Sequence, residues 1–355
     1  MSSIEADRVL AQIVKILEIN SIEKADAIEL ATVLGWNVVI KKGDFKVGDL
    51  VIYFSIDSVL ENTMEYCKFL DGKPLKTKKM RGVISQGLLG PLQWINFHNN
   101  SIDISQLKED DDVTEILNVK KYVHPTEEYN YNLSATGRSP FPQFVPKTDE
   151  ERIQNMPVKL KKIFDNNYNV VITKKFDGTS STYVYYKPIN NEKDVNEKFL
   201  ICSRNNVIIN VEDNSMTHYF DIEKKYKIEE KMKELGKNIA IQGEICGPKI
   251  GGNKLKLKER EYFVFNIYDI ENKKYLLWNE VVELSKKLGV NTVDVIYYGK
   301  LQQELSNIKN LLDFTDKQTY SCGDIAEGIV VKTDDINDRI SFKVISNKFL
   351  LKHNI

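Results

Sequence analysis

The sequence predicts an α+β chain in two domains: a small β-rich one, then a larger one of mostly antiparallel sheets with flanking helices. Three observations lead there. Short β-branched and aromatic runs crowd residues 1–115, proline-rich sequence fills 116–150, and from 151 to 355 strand-like runs outnumber helix-like ones without a βαβ rhythm. A length of 355 residues leaves room for two separate cores.

The N-terminal part opens with a helix expected over residues 5–17, where Val9, Leu10, Ile13 and Leu17 share one face. Residues 37–40 and 50–54 read as neighbouring strands around a glycine-containing connection, and 82–89 as a third. Several short strands in about a hundred residues favour an OB-like barrel, a common platform for nucleic acid. Pro140, Pro142 and Pro146 then fall within seven residues, which neither a helix nor a central strand accepts, so the inter-domain connection is placed over 116–150. In the second domain, strands are expected at 169–173, 180–186, 198–202, 239–243, 262–268, 328–332 and 340–344, and helices at 221–235 and 280–288.

Composition narrows the classes. Hydrophobic residues at 42% and charged residues at 28% fit a globular chain, and apolar runs such as 263–267 are far too short to span a bilayer. Glu5, Asp7, Arg8 and Lys15 interrupt the first twenty residues, so no signal peptide and an intracellular protein are expected. Cys67, Cys202, Cys246 and Cys322 form no CxxC pair and the four histidines are scattered, which argues against a zinc site or a disulfide framework. A net charge of −1 means that any polyanion must be met by a local basic patch.

The chemistry centres on Lys175-Phe176-Asp177-Gly178-Thr179, where a lysine ends one apolar strand and a glycine turn feeds the next. That arrangement puts an amine where a ligand can approach the backbone. An amine attacks only when unprotonated, which burial or neighbouring cations favour. Alone, this fragment also fits a surface turn. Further fragments follow in order: Ser203-Arg204, Gly243-Glu244, Phe263 to Ile267, Glu327-Gly328 to Lys332, and Ser341-Phe342-Lys343. Arg204, Lys332 and Lys343 suit the phosphates and ribose of a nucleotide, and Phe265 suits a base face. Glu244 and Glu327 suit a hydrated divalent ion or ribose hydroxyls, and Asp177 can orient the lysine or the ion's water shell. Taken singly, Phe265 fits a core aromatic and the charged residues fit a solvated surface; the shared order favours the functional reading.

These fragments resemble, in the same order, the motifs of the covalent nucleotidyltransferase superfamily of ligases and capping enzymes. The resemblance covers nearly the whole chain and is nearest to ATP-dependent RNA ligases of the Deinococcus and Naegleria type. It extends to residues 29–36, Phe45-Lys46-Val47-Gly48-Asp49, Lys78-Lys79-Met80-Arg81-Gly82, and the stretch 146–154. It implies an OB-like barrel at 1–115 preceding, rather than following, a nucleotidyltransferase (ATP-grasp-like) domain at 151–355. The twelve residues after Lys343 leave no room for a following barrel. It further implies that Lys175 takes AMP from ATP, passes it to a 5′-phosphate, and that a 3′-hydroxyl then expels it, sealing nicks with RNA on the 3′-hydroxyl side.

In that reading Lys175, Asp177 and Lys343 are catalytic. The nucleotide is held by Arg204, Glu244, Phe265, Glu327, Lys332 and Lys343. Magnesium or manganese meets Asp177, Glu244 and Glu327 through water. Ser341 stands where many relatives carry a second lysine, and Asn266 where an aspartate is frequent, the latter with little expected effect. Lys76, Lys78, Lys79 and Arg81, with Lys73 nearby, form a basic cluster for RNA phosphates, or else a solvated loop. Lys254, Lys256, Lys258 and Arg260 form a second basic stripe. The chain is expected to act as a monomer away from membranes. The competing readings are a DNA ligase, a capping-type guanylyltransferase, and an inactive nucleic-acid-binding relative.

Overall fold

The structure, a computed structural model, describes residues 8–61, 65–122, 138–187, 197–209 and 216–353. They divide into two compact units. One holds 8–122, Gln154–Pro157 and 347–353; the other holds 138–153 and Val158–Ser346.

The first unit contains β1 (Ala11–Lys15), β2 (Glu18–Ser21), β3 (Ile28–Val33), β4 (Trp36–Lys41), β5 (Leu50–Phe54), β6 (Ser58–Val59), β7 (Lys78–Met80), β8 (Val83–Ser85), β9 (Leu88–Gly90) and β10 (Lys120–Lys121). They pair as β1-β5-β9, β2-β3-β4, β6-β10 and β7-β8, all antiparallel. The helix expected over 5–17 is replaced by β1, with residues 1–7 outside the described residues. Ala11 and Ile13 pack with Ile52 and Phe54 in one cluster, whereas Val14 and Ile16 pack with Val51 and Tyr53 in another. A strand buried on both faces carries nearly continuous apolar residues, and over so short a run these mimic a helical stripe.

Two further expectations change here. Residues 37–40 and 50–54 are strands but not neighbours, since β4 pairs with β3 while β5 lies between β1 and β9. The single strand expected over 82–89 is two, β8 and β9, parted at Gly87 with φ +106°.

The second unit contains β11 (Arg138–Pro140), α1 (Pro157–Asp165), β12 (Asn169–Lys175), β13 (Thr179–Tyr186), β14 (Lys198–Cys202), β15 (Asn206–Ile208), α2 (Thr217–Tyr226), α3 (Ile228–Leu235) and β16 (Ile239–Cys246). It continues with β17 (Glu261–Asp269), β18 (Lys274–Tyr275), α4 (Trp278–Leu288), β19 (Asn291–Thr292), β20 (Val295–Lys300), α5 (Ile308–Thr315), β21 (Gly328–Thr333) and β22 (Ser341–Ile345). One sheet runs β11-β15-β14-β13-β16-β17-β18, with β19 parallel to β17; a second runs β20-β12-β21-β22. The strands expected from sequence are all present. The helix expected over 221–235 is two, because Lys227 adopts a left-handed conformation (φ 51°) between α2 and α3. A large core of Tyr183, Ile241, Tyr262, Val264 and Leu288 binds the first sheet to its helices.

The last helix, α6 (Asn347–His353), belongs to the first unit. It packs against β8, and its Leu351 carbonyl accepts a hydrogen bond from Lys79 Nζ at 3.1 Å.

Candidate active site

The two sheets of the second unit deliver their functional side chains to one cavity of about 340 Å3, within the usual range for small-molecule sites. Lys175 is the last residue of β12 and pairs with Gly328, the first of β21. Glu327 therefore stands beside it, and Lys175 Nζ donates to Glu327 Oε2 at 2.7 Å. Gly178 ends the turn into β13 and lies directly on β16. A Cβ there would fall 2.4 Å from the Ile245 carbonyl oxygen and 2.8 Å from Glu244 Cγ, so only glycine lets this turn reach the strand that carries Glu244. Lys175, Asp177, Arg204, Glu244, Phe265, Glu327, Lys332 and Lys343 all line the cavity.

Charge in the cavity is distributed differently from the sequence expectation. Burial works against the Lys175 ammonium, but Glu327, Glu244 and Asp177 outweigh it, and its pKa stands above the ordinary lysine value. The lysine is thus held protonated by its carboxylates rather than neutralised by burial. Burial also pushes Glu244 up to about 7, opposed by Lys175 and Arg204 and reinforced by Glu327 and Asp177. Lys343 is lowered by burial and by the neighbouring Lys175 and Arg152 charges. Asp177 Oδ2 lies 2.7 Å from Lys254 Nζ, and both side chains are largely covered.

Lys332 lines the cavity with its amine engaged by protein groups. The residue is 4% exposed, and its amine donates to the Phe265 carbonyl at 2.8 Å and to Asn266 Oδ1 at 2.9 Å. Burial, helped by Arg339, lowers its pKa to about 7. It lies 5.4 Å from the Phe265 ring centroid, at the aromatic part of the cavity. Asn266, expected to matter little, accepts from both Lys332 and Arg339, so an aspartate there would sit between two cations. Ser341 lies directly across the ladder from Lys332. Arg204 lines the cavity but is paired with Asp149 and well exposed.

The second basic stripe is mostly spent on internal pairs: Lys254 with Asp177, Lys256 with Asp324, and Arg260 with Asp221. Sequence reasoning missed Lys254 as a cavity neighbour because a run of cations reads as surface. It also gave no role to Thr148, Asp149 and Glu150, which line the cavity and are anchored by Thr148 Oγ1–Ser180 Oγ at 2.8 Å and by Gln242 Nε2 donating to the Pro146 carbonyl at 2.7 Å. In the first unit, Lys76, Lys78, Lys79 and Arg81 are exposed on and beside the β7–β8 hairpin. Positive φ at Arg81 (48°) and Gly82 (82°) makes its tight turn.

A strand-end lysine among three carboxylates, an aromatic wall and a second lysine, joined to a β-rich first unit, define a protein of the covalent nucleotidyltransferase class. Comparison with known proteins agrees. The RNA ligase family model matches residues 168–345, and an OB-fold domain model matches residues 10–92. The chain belongs to the RNA ligase family. Solved structures of a Naegleria gruberi RNA ligase are similar over nearly the full length. A mutant with ATP and Mn is 32% identical, covers 97% of this chain and 99% of that one, and has a TM-score of 0.73. A mutant with AMP and Mn is 32% identical, covers 98% and 99%, with a TM-score of 0.73. The same ligase with pyrophosphate is 34% identical, covers 98% and 99%, with a TM-score of 0.70. No curated protein matches the chain.

Proposed function

We propose that the chain is an ATP-dependent RNA ligase that seals 3′-hydroxyl and 5′-phosphate ends, at nicks with RNA on the 3′-hydroxyl side, through an AMP carried on Lys175. The observation that carries this is the gathering of Lys175, Asp177, Glu244, Phe265, Glu327 and Lys343 round one cavity. The ATP, AMP and pyrophosphate in the Naegleria structures are the substrate, transferred group and leaving group of such a step.

In the first step Lys175 Nζ forms a bond to the α-phosphorus, the bond to pyrophosphate breaks, and a proton leaves the amine. Glu327 Oε2, at 2.7 Å, is in place to receive that proton or to hold the amine on line. Phe265 offers its face to adenine, with Lys332 fixed beside the ring. Lys343 supplies positive charge at the phosphates, and Ser341 leaves that task to it. Arg204 reaches the nucleotide from the rim once it parts from Asp149. In the second step the adenylate passes to a 5′-phosphate, and in the third a 3′-hydroxyl displaces AMP.

Among the described residues, no three His, Cys, Asp or Glu side chains are grouped to ligate a metal directly. Asp177, Glu244 and Glu327 share the cavity, which suits magnesium or manganese held through its water shell. Such an ion would supply charge neutralisation at the phosphates and, by occupying the carboxylates, favour the uncharged lysine.

The exposed hairpin cations Lys76, Lys78, Lys79 and Arg81 are assigned to the RNA backbone, where they give affinity rather than sequence choice. The four cysteines are free thiols, and no described helix is long and apolar enough to cross a membrane.

The test is covalent labelling with ATP and with GTP, followed by sealing of nicks carrying RNA or DNA on each side. Labelling is expected with ATP alone and lost in Lys175→Ala without loss of fold. Persistent labelling of that variant would move the nucleophile elsewhere.

A further inference from the structure

Tyr320 lies outside the cavity lining and is 3% exposed, yet its hydroxyl is tied to three functional positions at once. It accepts hydrogen bonds from the Asp177 amide at 3.2 Å and the Glu327 amide at 3.0 Å. It donates to the Lys175 carbonyl at 3.0 Å. One donated and two accepted bonds use the full capacity of a phenol. The ladder between β12 and β21 ends at the Lys175–Gly328 pair, so these amides and this carbonyl lie at or just beyond its last rung. The phenol oxygen continues the connection where the strands part.

The tyrosine is itself firmly placed. Its ring meets Phe176 edge-on with centroids 5.7 Å apart. Its own amide donates to the Asp324 carbonyl at 2.7 Å, and its carbonyl accepts from Gly323 at 2.9 Å.

We propose that the Tyr320 hydroxyl is a positioning residue for AMP transfer, fixing Lys175, Asp177 and Glu327 relative to one another; this rests on the reading of Lys175 as the nucleophile. It acts through the backbone, so it bears on the attack of the lysine on ATP more than on ATP binding. It also bears less on the final step, in which a 3′-hydroxyl and not the lysine is the nucleophile.

Tyr320→Phe keeps the ring and removes only the oxygen. Single-turnover labelling should slow at least about tenfold at saturating ATP, with KM for ATP within about twofold of the unmodified protein. Sealing of a nick whose 5′ end is supplied already adenylylated should fall by no more than about threefold. Unchanged labelling, or an equal loss in labelling and in sealing of the adenylylated nick, would overturn the proposal. If the Phe variant does not fold, 4-aminophenylalanine at the same position retains a para donor that accepts poorly; intermediate labelling supports the proposal and full-rate labelling overturns it. Failure of the underlying reading looks different: Lys175→Ala would then still become labelled.

Discussion

Replacing Gly178 by alanine tests how closely the nucleophile's turn must approach the strand that carries Glu244. The new Cβ would sit 2.4 Å from the Ile245 carbonyl oxygen and 2.8 Å from both Cys246 Sγ and Glu244 Cγ. The first of these is backbone in the β13–β16 ladder, where Ile245 pairs with Thr179, and cannot swing aside. Restoring ordinary contact requires the turn and β16 to part by about 1 Å. Overpacking of this kind costs about 1–3 kcal/mol, which for a domain of this size lowers melting by roughly 2–12 °C. The same displacement lies between Lys175 and Glu244, and misplacement by 1 Å at a reacting centre costs roughly 100-fold in rate. The assay is the rate of covalent labelling by ATP, with melting followed in parallel. Gly178→Ala labelled at the unmodified rate, with unchanged melting, would refute the close-approach argument.

Glu244 is raised to about 7 in the folded protein, so its contribution to stability is complete below the ordinary carboxylate pKa and fades as pH rises toward 7. Glu244→Gln is spared that loss. Its melting temperature should match the unmodified protein near pH 4.5 and exceed it above pH 7, while labelling falls; parallel melting curves at all pH values would count against a buried, raised carboxyl. Lys254→Met leaves the Asp177 carboxylate without the ammonium now 2.7 Å away. With the two side chains 16% and 20% exposed, the loss should be about 1–3 kcal/mol, below that of a fully buried pair. Magnesium should recover more melting temperature in this variant than in the unmodified protein, and equal recovery in both would argue that Asp177 does not meet the ion.

Much of the second unit was legible because its strands are long, apolar and closed by recognisable fragments. Lys175, Glu244, Phe265 and Glu327 sit at strand ends or along them, and period-two patterning places such residues well. The first unit was harder. β1 is covered on both faces, so its apolar residues at 11, 13 and 14 carry no strict alternation, and the strand passed for a helix. The break at Lys227 was hidden because a lysine in a left-handed conformation leaves no glycine or proline to announce it. Pairings over long separations were invisible for a different reason. That Lys254 answers Asp177, or that Tyr320 serves Lys175, depends on which loops the sheets bring together, and no local pattern encodes it. Even the state of Lys175 was not legible from burial and neighbouring cations, because three carboxylates from separate elements outweigh the desolvation of one amine.

The return of α6 to the first unit has a consequence for how the protein is made. Residues 8–122 leave the ribosome before the second unit, but the segment that packs on β8 and receives Lys79 is translated only after it. During synthesis the early barrel therefore waits with that part of β8 uncovered until the last helix arrives to pack on it.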